Sequence, residues 1–266
     1  MKILFSTGTL YQLPLLETFS LVREAGFDGC DLVINRGLDD PRHKEILTEA
    51  LSILPAYSLH VPFHRLKNWG TQVEAIARCV KTAKEFGIRV VNFHPPSWYH
   101  HEIAFYRWFR RIRDFQKELD CEDALLAIEN MPRIGKRLRL APYVLNDFKD
   151  LLEFGIKRNL YFTFDTTHVG TFEYDAVAAF LAFHKTERLR NVHLSDCAGA
   201  DSHLFLGRGT LPVARLLNTM RAVGYDEMVT LEIAPNELPV TKEWLLKMMR
   251  YTASFMKMHL GEERHG

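Results

Sequence analysis

The chain has 266 residues, 47% of them hydrophobic and 25% charged, so it is long enough to bury one large core. Its formal net charge of +1 excludes a globally basic nucleic-acid binder, although it leaves room for a local basic patch. No apolar run approaches the ~20 residues that a membrane span needs, and the first residues lack the features of a signal peptide. We therefore expect a cytoplasmic protein with no membrane partner.

Short apolar runs alternate with longer amphipathic segments along the whole chain. The eight runs are too continuously apolar for strands with one wet face, and they predict parallel strands buried on both sides. They are KILFS (2–6), GCDLVI (29–34), YSLHV (57–61), RVVNFH (89–94), LLAIEN (125–130), YFTFD (161–165), NVHLS (191–195) and VTLEI (229–233).

A glycine recurs where four of the predicted helices meet the next strand. The segments are LVREAGFDG, AKEFGI, LLEFGI and MRAVGYDEM, in which Gly26, Gly87, Gly155 and Gly224 are expected to end the helices. A βα unit repeated eight times closes a TIM barrel. A doubly wound open sheet is the competing α/β fold, but no Gly-x-Gly-x-x-Gly follows the first strand. We predict a single (β/α)8 TIM-barrel domain over residues 1–266.

Polar side chains stand at the ends of the last six predicted strands. In a TIM barrel these ends form the active-site rim. So many imidazoles and carboxylates in one cavity are costly unless a cation neutralises them, and this mixture of ligands suits zinc, manganese or cobalt. The candidate ligands are His60, His94, Glu129, Asp165, His168, His193, Asp201, His203 and Glu232. By contrast, the four cysteines are widely spaced and predict neither a disulfide framework nor a thiolate zinc site.

The motifs DTTHVG, VHLSD, DSHLFLGRG and LEIAP resemble those of the xylose isomerase-like TIM-barrel superfamily, and the resemblance covers essentially the whole chain. That superfamily includes sugar-phosphate isomerases and epimerases as well as endonuclease IV. In epimerase-like members one divalent cation is held by four residues, which here match Glu129, Asp165, His193 and Glu232. The resemblance further implies that Glu129 and Glu232 are the catalytic acid/base pair. His168 would contact a substrate hydroxyl or a further metal.

The endonuclease IV pattern implies nine ligands for three zinc ions, a cluster suited to phosphodiester hydrolysis. This chain has a match for each ligand but reads DTTH and HLSDCA where endonuclease IV has DTCH and HLNDSK. The resemblance therefore implies between one and three divalent ions. The nine matches are His60, His94, Glu129, Asp165, His168, His193, Asp201, His203 and Glu232.

A basic loop follows the fifth predicted strand, in the segment NMPRIGKRLRLAP. Cations at the catalytic rim predict binding of a phosphate, whether of a sugar phosphate or of a nucleic acid. Trp69, in HRLKNWG, is a candidate wall of the substrate pocket. The predicted phosphate contacts are Arg133, Lys136, Arg137 and Arg139.

Two helical segments and one turn have structural interpretations. In WYHHEIAFYRWFRRIRDF we expect the apolar residues to pack inward rather than stack on bases. The Met-rich last helix indicates core packing or a subunit contact, so a homo-oligomer is compatible with the sequence. Gly207-Arg208-Gly209 predicts a turn into the next helix, with Pro212 near its first turn. The inward-facing residues of the aromatic helix are Phe105, Trp108, Phe109 and Ile112.

These patterns favour a divalent-metal-dependent isomerase or epimerase acting on a sugar or sugar phosphate. The alternative is a multinuclear zinc phosphodiesterase resembling endonuclease IV, which would cut DNA at abasic sites. A third class, a catalytically silent sugar-binding barrel, would not need so many metal ligands.

Overall fold

The computed structural model describes residues 1–99, 102–135 and 140–261. Eight parallel strands close into a barrel, since the first strand pairs with the second on one side and with the last on the other. The predicted TIM barrel is therefore confirmed. The barrel strands are β1 (Lys2–Ser6), β2 (Gly29–Val33), β3 (Ala56–His60), β4 (Val90–Phe93), β5 (Leu125–Glu129), β6 (Tyr161–Asp165), β7 (Leu189–Leu194) and β10 (Met228–Leu231).

All eight predicted strands are present, and their ends differ from the prediction by at most two residues. The sequence reasoning missed a small antiparallel hairpin that follows β7, made of β8 (Asp196–Ala198) and β9 (Asp201–Leu204). This hairpin folds the chain back over the rim of the barrel and carries His203. Its alternation was hidden because the segment is short and rich in polar residues.

Helices cover the outside of the barrel, and additional short helices lie at its rim. None of the helices within the described ranges is both long enough and apolar enough to cross a membrane. The helices are α1 (Leu15–Ala25), α2 (His43–Ile53), α3 (Gln72–Phe86), α4 (Ile103–Arg111), α5 (Phe115–Glu118), α6 (Phe148–Lys157), α7 (Thr166–Gly170), α8 (Ala176–His184), α9 (Val213–Ala222) and α10 (Lys242–Leu260).

The aromatic helix α4 packs as the sequence predicted. Phe105, Phe109 and Ile112 are buried, and Trp108 is partly buried against the same core. On α10, Met249 and Met256 are buried in the core, which explains part of its methionine content.

Three of the four expected glycine stops are confirmed. Gly26, Gly87 and Gly224 take left-handed backbone angles beyond the ends of their helices. The prediction was wrong for Gly155, which lies inside α6 with its Cα facing the ring of Phe162. A Cβ at position 155 would overlap that ring, so this glycine permits close packing of helix on strand.

The interior of the barrel changes character from one end to the other. Towards the N-terminal ends of the strands it is filled by an apolar cluster of Leu4, Val90, Ala127 and Met228. Towards the C-terminal ends, buried polar side chains replace the apolar ones. All four cysteines are buried free thiols, as expected for residues without a disulfide partner.

Candidate metal centre

The polar rim is built by the ends of the strands. His60, Glu129 and Asp165 are the last residues of β3, β5 and β6, while His94 and Glu232 directly follow β4 and β10. Because the strands are parallel, their carboxyl ends meet at one rim. The structure thus gathers these side chains into three groups, each with ligand atoms that lie within 4.8 Å of one another.

The central group contains Glu129, Asp165, His193 and Glu232. Nδ1 of His193 lies 2.8 Å from Oε2 of Glu232 and 3.5 Å from Oε1 of Glu129. Even so, among the described residues neither ring nitrogen of His193 has a hydrogen-bond partner, and Oδ2 of Asp165 has none. Buried polar atoms are normally hydrogen-bonded, so ligand atoms that converge without hydrogen bonds fit the needs of a metal ion.

Local structure aims the carboxylate of Asp165. As the N-cap of α7, its Oδ1 accepts hydrogen bonds from the backbone N–H groups of Thr167 and His168, both at 2.8 Å. Its second oxygen is thereby left for the centre. Asn130 supports it with paired bonds, since its Oδ1 accepts from the Asp165 N–H at 2.8 Å and its Nδ2 donates to the Asp165 carbonyl at 3.0 Å.

A second group joins His60, His94 and Glu129. Nδ1 of His60 donates to the carbonyl of Val61 at 2.7 Å, so Nε2 is the nitrogen that faces the group, in hydrogen-bond contact with Oε2 of Glu129 at 3.3 Å. Nε2 of His94 lies 3.6 Å from the same oxygen. Asn92 donates a short hydrogen bond to that oxygen as well. Glu129 therefore belongs to two groups at once.

The third group joins Asp165, His168 and His203. Nδ1 of His168 donates to the carbonyl of Asn130 at 2.7 Å, and Nδ1 of His203 faces the carbonyl of Glu232 at 3.3 Å. The two Nε2 atoms lie 3.2 Å from each other. A cation bound between the two Nε2 atoms would relieve that contact. The carbonyls of Asn130 and Glu232, which face the two Nδ1 atoms, would orient the histidines for metal binding.

The charges of the rim are strongly coupled. Burial raises the pKa of the Glu129 carboxyl, but the charge of His193 and contacts with His193 and His60 outweigh it and hold that pKa well below its usual range. Burial also raises the pKa of Glu232, but the charge of His193 outweighs this effect and lowers that pKa to about 2. Both carboxylates are therefore ionised near neutral pH.

His193 shows the opposite response. Burial lowers its pKa, but the charges of Glu232 and Glu129 raise the pKa well above that of an ordinary histidine. Without a metal, a proton on His193 supplies the positive charge that the two glutamates require. Burial lowers the pKa of His94, so this imidazole is held neutral, as a metal ligand must be. The donor set fits a divalent cation in place of the proton.

The loop after β7 contains two aspartates with different placements. Asp201 is exposed at the start of β9 and belongs to none of the three groups found among the described residues. Asp196 is buried and accepts hydrogen bonds from the backbone N–H groups of four residues, at 2.8–3.0 Å. These four are Cys197, Gly207, Gly209 and Leu211. Asp196 is thus the anchor of the Gly-Arg-Gly turn, which leads into α9 as predicted.

The predicted substrate contacts are only partly described. Arg133 is half-buried, with its guanidinium 4.5 Å from the centre of the Phe172 ring. Trp69 is 2% exposed, and its indole N–H donates to the carbonyl of Leu38 at 3.0 Å, so it offers almost no surface to a substrate. Lys136, Arg137 and Arg139 lie outside the described residues.

Three residues of the centre escaped the sequence reasoning. Asn92 donates a hydrogen bond to Glu129. Asn130 is hydrogen-bonded to Asp165 and to His168. Asp31 on β2 is completely buried, with Oδ2 lying 3.6 Å from Nε2 of His193. A signal was present for two of them, since Asn130 follows Glu129 directly and Asp31 is a charge inside an otherwise apolar strand.

Fold and site together define a TIM-barrel protein with a histidine–carboxylate centre at the C-terminal rim of the barrel. The family model described as "Xylose isomerase-like TIM barrel" matches residues 19–250. The chain belongs to this family, as the motifs of the sequence predicted.

The chain is also similar to individual proteins over nearly its whole length. An uncharacterized protein of Mycobacterium tuberculosis (strain ATCC 25618 / H37Rv) is 25% identical over 97% of this chain and 98% of its own. Among solved structures, an L-ribulose 3-epimerase has a TM-score of 0.72 at 17% identity, covering 100% of this chain and 99% of the other. Endonuclease IV from Thermus thermophilus has a TM-score of 0.65 at 16% identity, covering 97% and 100%. At these identities the two structures establish a shared fold.

Proposed function

We propose that the protein is a divalent-metal-dependent isomerase or epimerase of a sugar or sugar phosphate. The observation that supports this most directly is the pair of carboxylates facing Nδ1 of His193, Glu232 at 2.8 Å and Glu129 at 3.5 Å. They come from β5 and from the end of β10, which are separated in the barrel by β6 and β7. Two carboxylates that approach from different sides suit proton transfer on the two faces of one carbon.

The four residues Glu129, Asp165, His193 and Glu232 would hold the ion, with zinc, manganese and cobalt as the candidates. When bound, a divalent ion supplies Lewis-acid polarisation of a carbonyl and its neighbouring hydroxyl.

The two glutamates differ in access. The Glu232 side chain is 14% exposed and that of Glu129 is 1% exposed, so Glu232 is the more accessible proton acceptor. Its pKa of about 2 keeps it in the accepting form. Glu129 is the candidate for proton transfer on the opposite face.

His168 is the candidate contact for a substrate hydroxyl. Because its Nδ1 donates to the Asn130 carbonyl, its Nε2 would accept a hydrogen bond from that hydroxyl.

A second candidate function is a zinc phosphodiesterase resembling endonuclease IV, with DNA as its partner. It is favoured by the sharing of ligands, since Glu129 joins two groups and Asp165 joins two, as in a multinuclear centre. The exposed position of Asp201, outside the groups found in the described part of the chain, counts against a complete set of nine ligands. We therefore rank this function second.

The deciding experiment measures metal content and proton exchange on the same sample. Protein purified without chelator is analysed for metal per chain and then incubated in D2O with a panel of ketoses and ketose phosphates. We expect one ion per chain and deuterium incorporation at the carbon next to the carbonyl of one substrate. Two or three zinc ions, with incision of abasic DNA and no exchange in any sugar, would instead establish the second function. Tight sugar binding without exchange would identify a binding protein.

A further inference from the structure

Asp31 is a buried charge inside the barrel wall. It lies at the middle of β2, between Ser6 of β1 and Ser58 of β3 in the strand register, and it has no exposed surface. Its Oδ1 accepts a short hydrogen bond from the Ser58 hydroxyl, whereas its Oδ2 has no hydrogen-bond partner within residues 1–99, 102–135 and 140–261. A carboxylate oxygen in this state is costly, so its position calls for a partner.

The group that faces this oxygen is His193 on β7, and β1 and β10 lie between β7 and β2 in the barrel. Nε2 of His193 lies 3.6 Å from Oδ2 of Asp31 and also lacks a hydrogen-bond partner in those ranges. β2 and β7 are not neighbours in the sheet, so the barrel interior alone brings the two side chains together. Nδ1 of the same ring points the other way, towards Glu232 and Glu129.

This orientation distinguishes His193 from three other histidines at the rim. His60, His168 and His203 each direct Nδ1 to a backbone carbonyl, which leaves Nε2 for a ligand. In His193 the roles are reversed, since Nδ1 faces the carboxylates of the centre and Nε2 faces Asp31. A backbone carbonyl cannot perform this task in the middle of a barrel, because strand pairing occupies it.

A chain of hydrogen bonds across the barrel holds Asp31 in place. The Ser58 hydroxyl that donates to Asp31 accepts a bond from Nδ2 of Asn191 at 3.4 Å. Oδ1 of Asn191 in turn accepts from the Thr230 hydroxyl at 2.9 Å. These residues belong to β2, β3, β7 and β10, so the carboxylate is tied to strands on both sides of the barrel.

We propose that Asp31 is a positioning residue for the metal centre, an inference that rests on the proposed metal-dependent function. In the loaded protein the Nε2–H of His193 donates to Oδ2 of Asp31, and Nδ1 is thereby selected as the ligand atom. The carboxylate also balances part of the charge that a divalent ion brings into the barrel. Asp31 belongs to none of the three candidate metal-binding groups found in the described part of the chain.

The test compares wild type, Asp31→Asn and the control Glu227→Gln, which makes the same carboxylate-to-amide change at the other end of the barrel, where Glu227 pairs with Arg89. Zinc affinity is measured by competition with a chelating indicator. Histidine labelled with 15N reports by NMR which nitrogen of His193 carries the proton and which binds zinc, and His193→Gln assigns the signal. We expect Asp31→Asn to lose about 10- to 100-fold in zinc affinity and to mix the two ring states. Glu227→Gln should stay within about twofold of wild type.

Equal zinc affinity and an unchanged His193 spectrum in Asp31→Asn would overturn the proposal. So would a wild-type spectrum with zinc on Nε2 of His193, which needs no variant and decides the matter if Asp31→Asn fails to fold. An equal loss of affinity in Glu227→Gln would assign the effect to barrel stability instead. Zinc binding without sugar turnover in wild type would refute the proposed function alone and leave the role of Asp31 intact.

Discussion

Nδ1 of His193 lies 2.8 Å from Oε2 of Glu232, and His193 is completely buried in the barrel. This contact joins His193 to the more accessible of its two glutamate neighbours. It explains why the pKa of His193 rises and that of Glu232 falls to about 2 despite burial, since each charge stabilises the other. The same two atoms are the ones that a metal ion would hold, so proton and metal compete for one position.

Glu232→Gln should abolish turnover while preserving the fold. The amide keeps the size of the side chain but removes the proton-accepting oxygen, and loss of one acid/base group costs about 100- to 10,000-fold in rate. The rate of deuterium exchange into the substrate, beside circular dichroism, checks this. Glu227→Gln is the matched control, because Glu227 pairs with Arg89 before β10 begins, at the other end of the barrel. Full turnover in Glu232→Gln would sink the proposed mechanism.

Metal-free protein should become less stable as the pH rises. The pKa of His193 is raised in the folded state, so its contribution is fully present below the unfolded value of about 6.5 and is lost as the pH passes through the raised value. We expect the Tm of the metal-free form to fall as the pH rises above about 6.5.

Zinc should reverse this trend, because deprotonated ligands bind the ion more tightly at higher pH. Scanning calorimetry with and without zinc measures both slopes, and His193→Gln, which lacks the titrating ring, should flatten the metal-free one. A Tm of the metal-free protein that climbs over the same range is incompatible with the assigned coupling.

Arg133→Ala should weaken binding of phosphorylated substrates in particular. Its guanidinium rests on the Phe172 ring, and a bidentate contact with phosphate is worth about 1.5–3 kcal/mol, or roughly 10- to 100-fold in KM. KM is compared for a sugar phosphate and the same sugar without phosphate. Arg133→Lys keeps the charge but loses the fork, so it should fall between wild type and alanine. Equal changes in KM for both sugars would show that Arg133 does not bind the phosphate.

Asp196→Ala should destabilise the protein by about 3 kcal/mol, because four backbone N–H groups lose a charged acceptor that is itself buried. Asp196→Asn keeps one acceptor oxygen and should cost less. Urea unfolding gives both values. A change below about 0.5 kcal/mol in Asp196→Ala would mean that the Gly-Arg-Gly turn does not depend on this carboxylate.

The pattern of the sequence was enough to predict the barrel and most of its rim. Eight apolar runs, each followed by an amphipathic segment, specify parallel strands whose carboxyl ends meet, so His60, Glu129 and Asp165 were found from their positions alone. These features are local, since a strand end is recognised from its own residues. Topology then determines that these residues share one site, because a closed parallel barrel brings all strand ends together.

Contacts across the barrel were decided only by the tertiary structure. The approach of Asp31 to His193 depends on closure of the sheet, which brings β2 within reach of β7 although β1 and β10 lie between them. The exposure of Asp201 and the anchoring role of Asp196 depend on a hairpin whose register the sequence does not reveal. Gly155 looked like a helix end but serves the packing of α6 on Phe162. Each is a distance between segments remote in sequence, and such distances follow from packing and register rather than from the order of residue types.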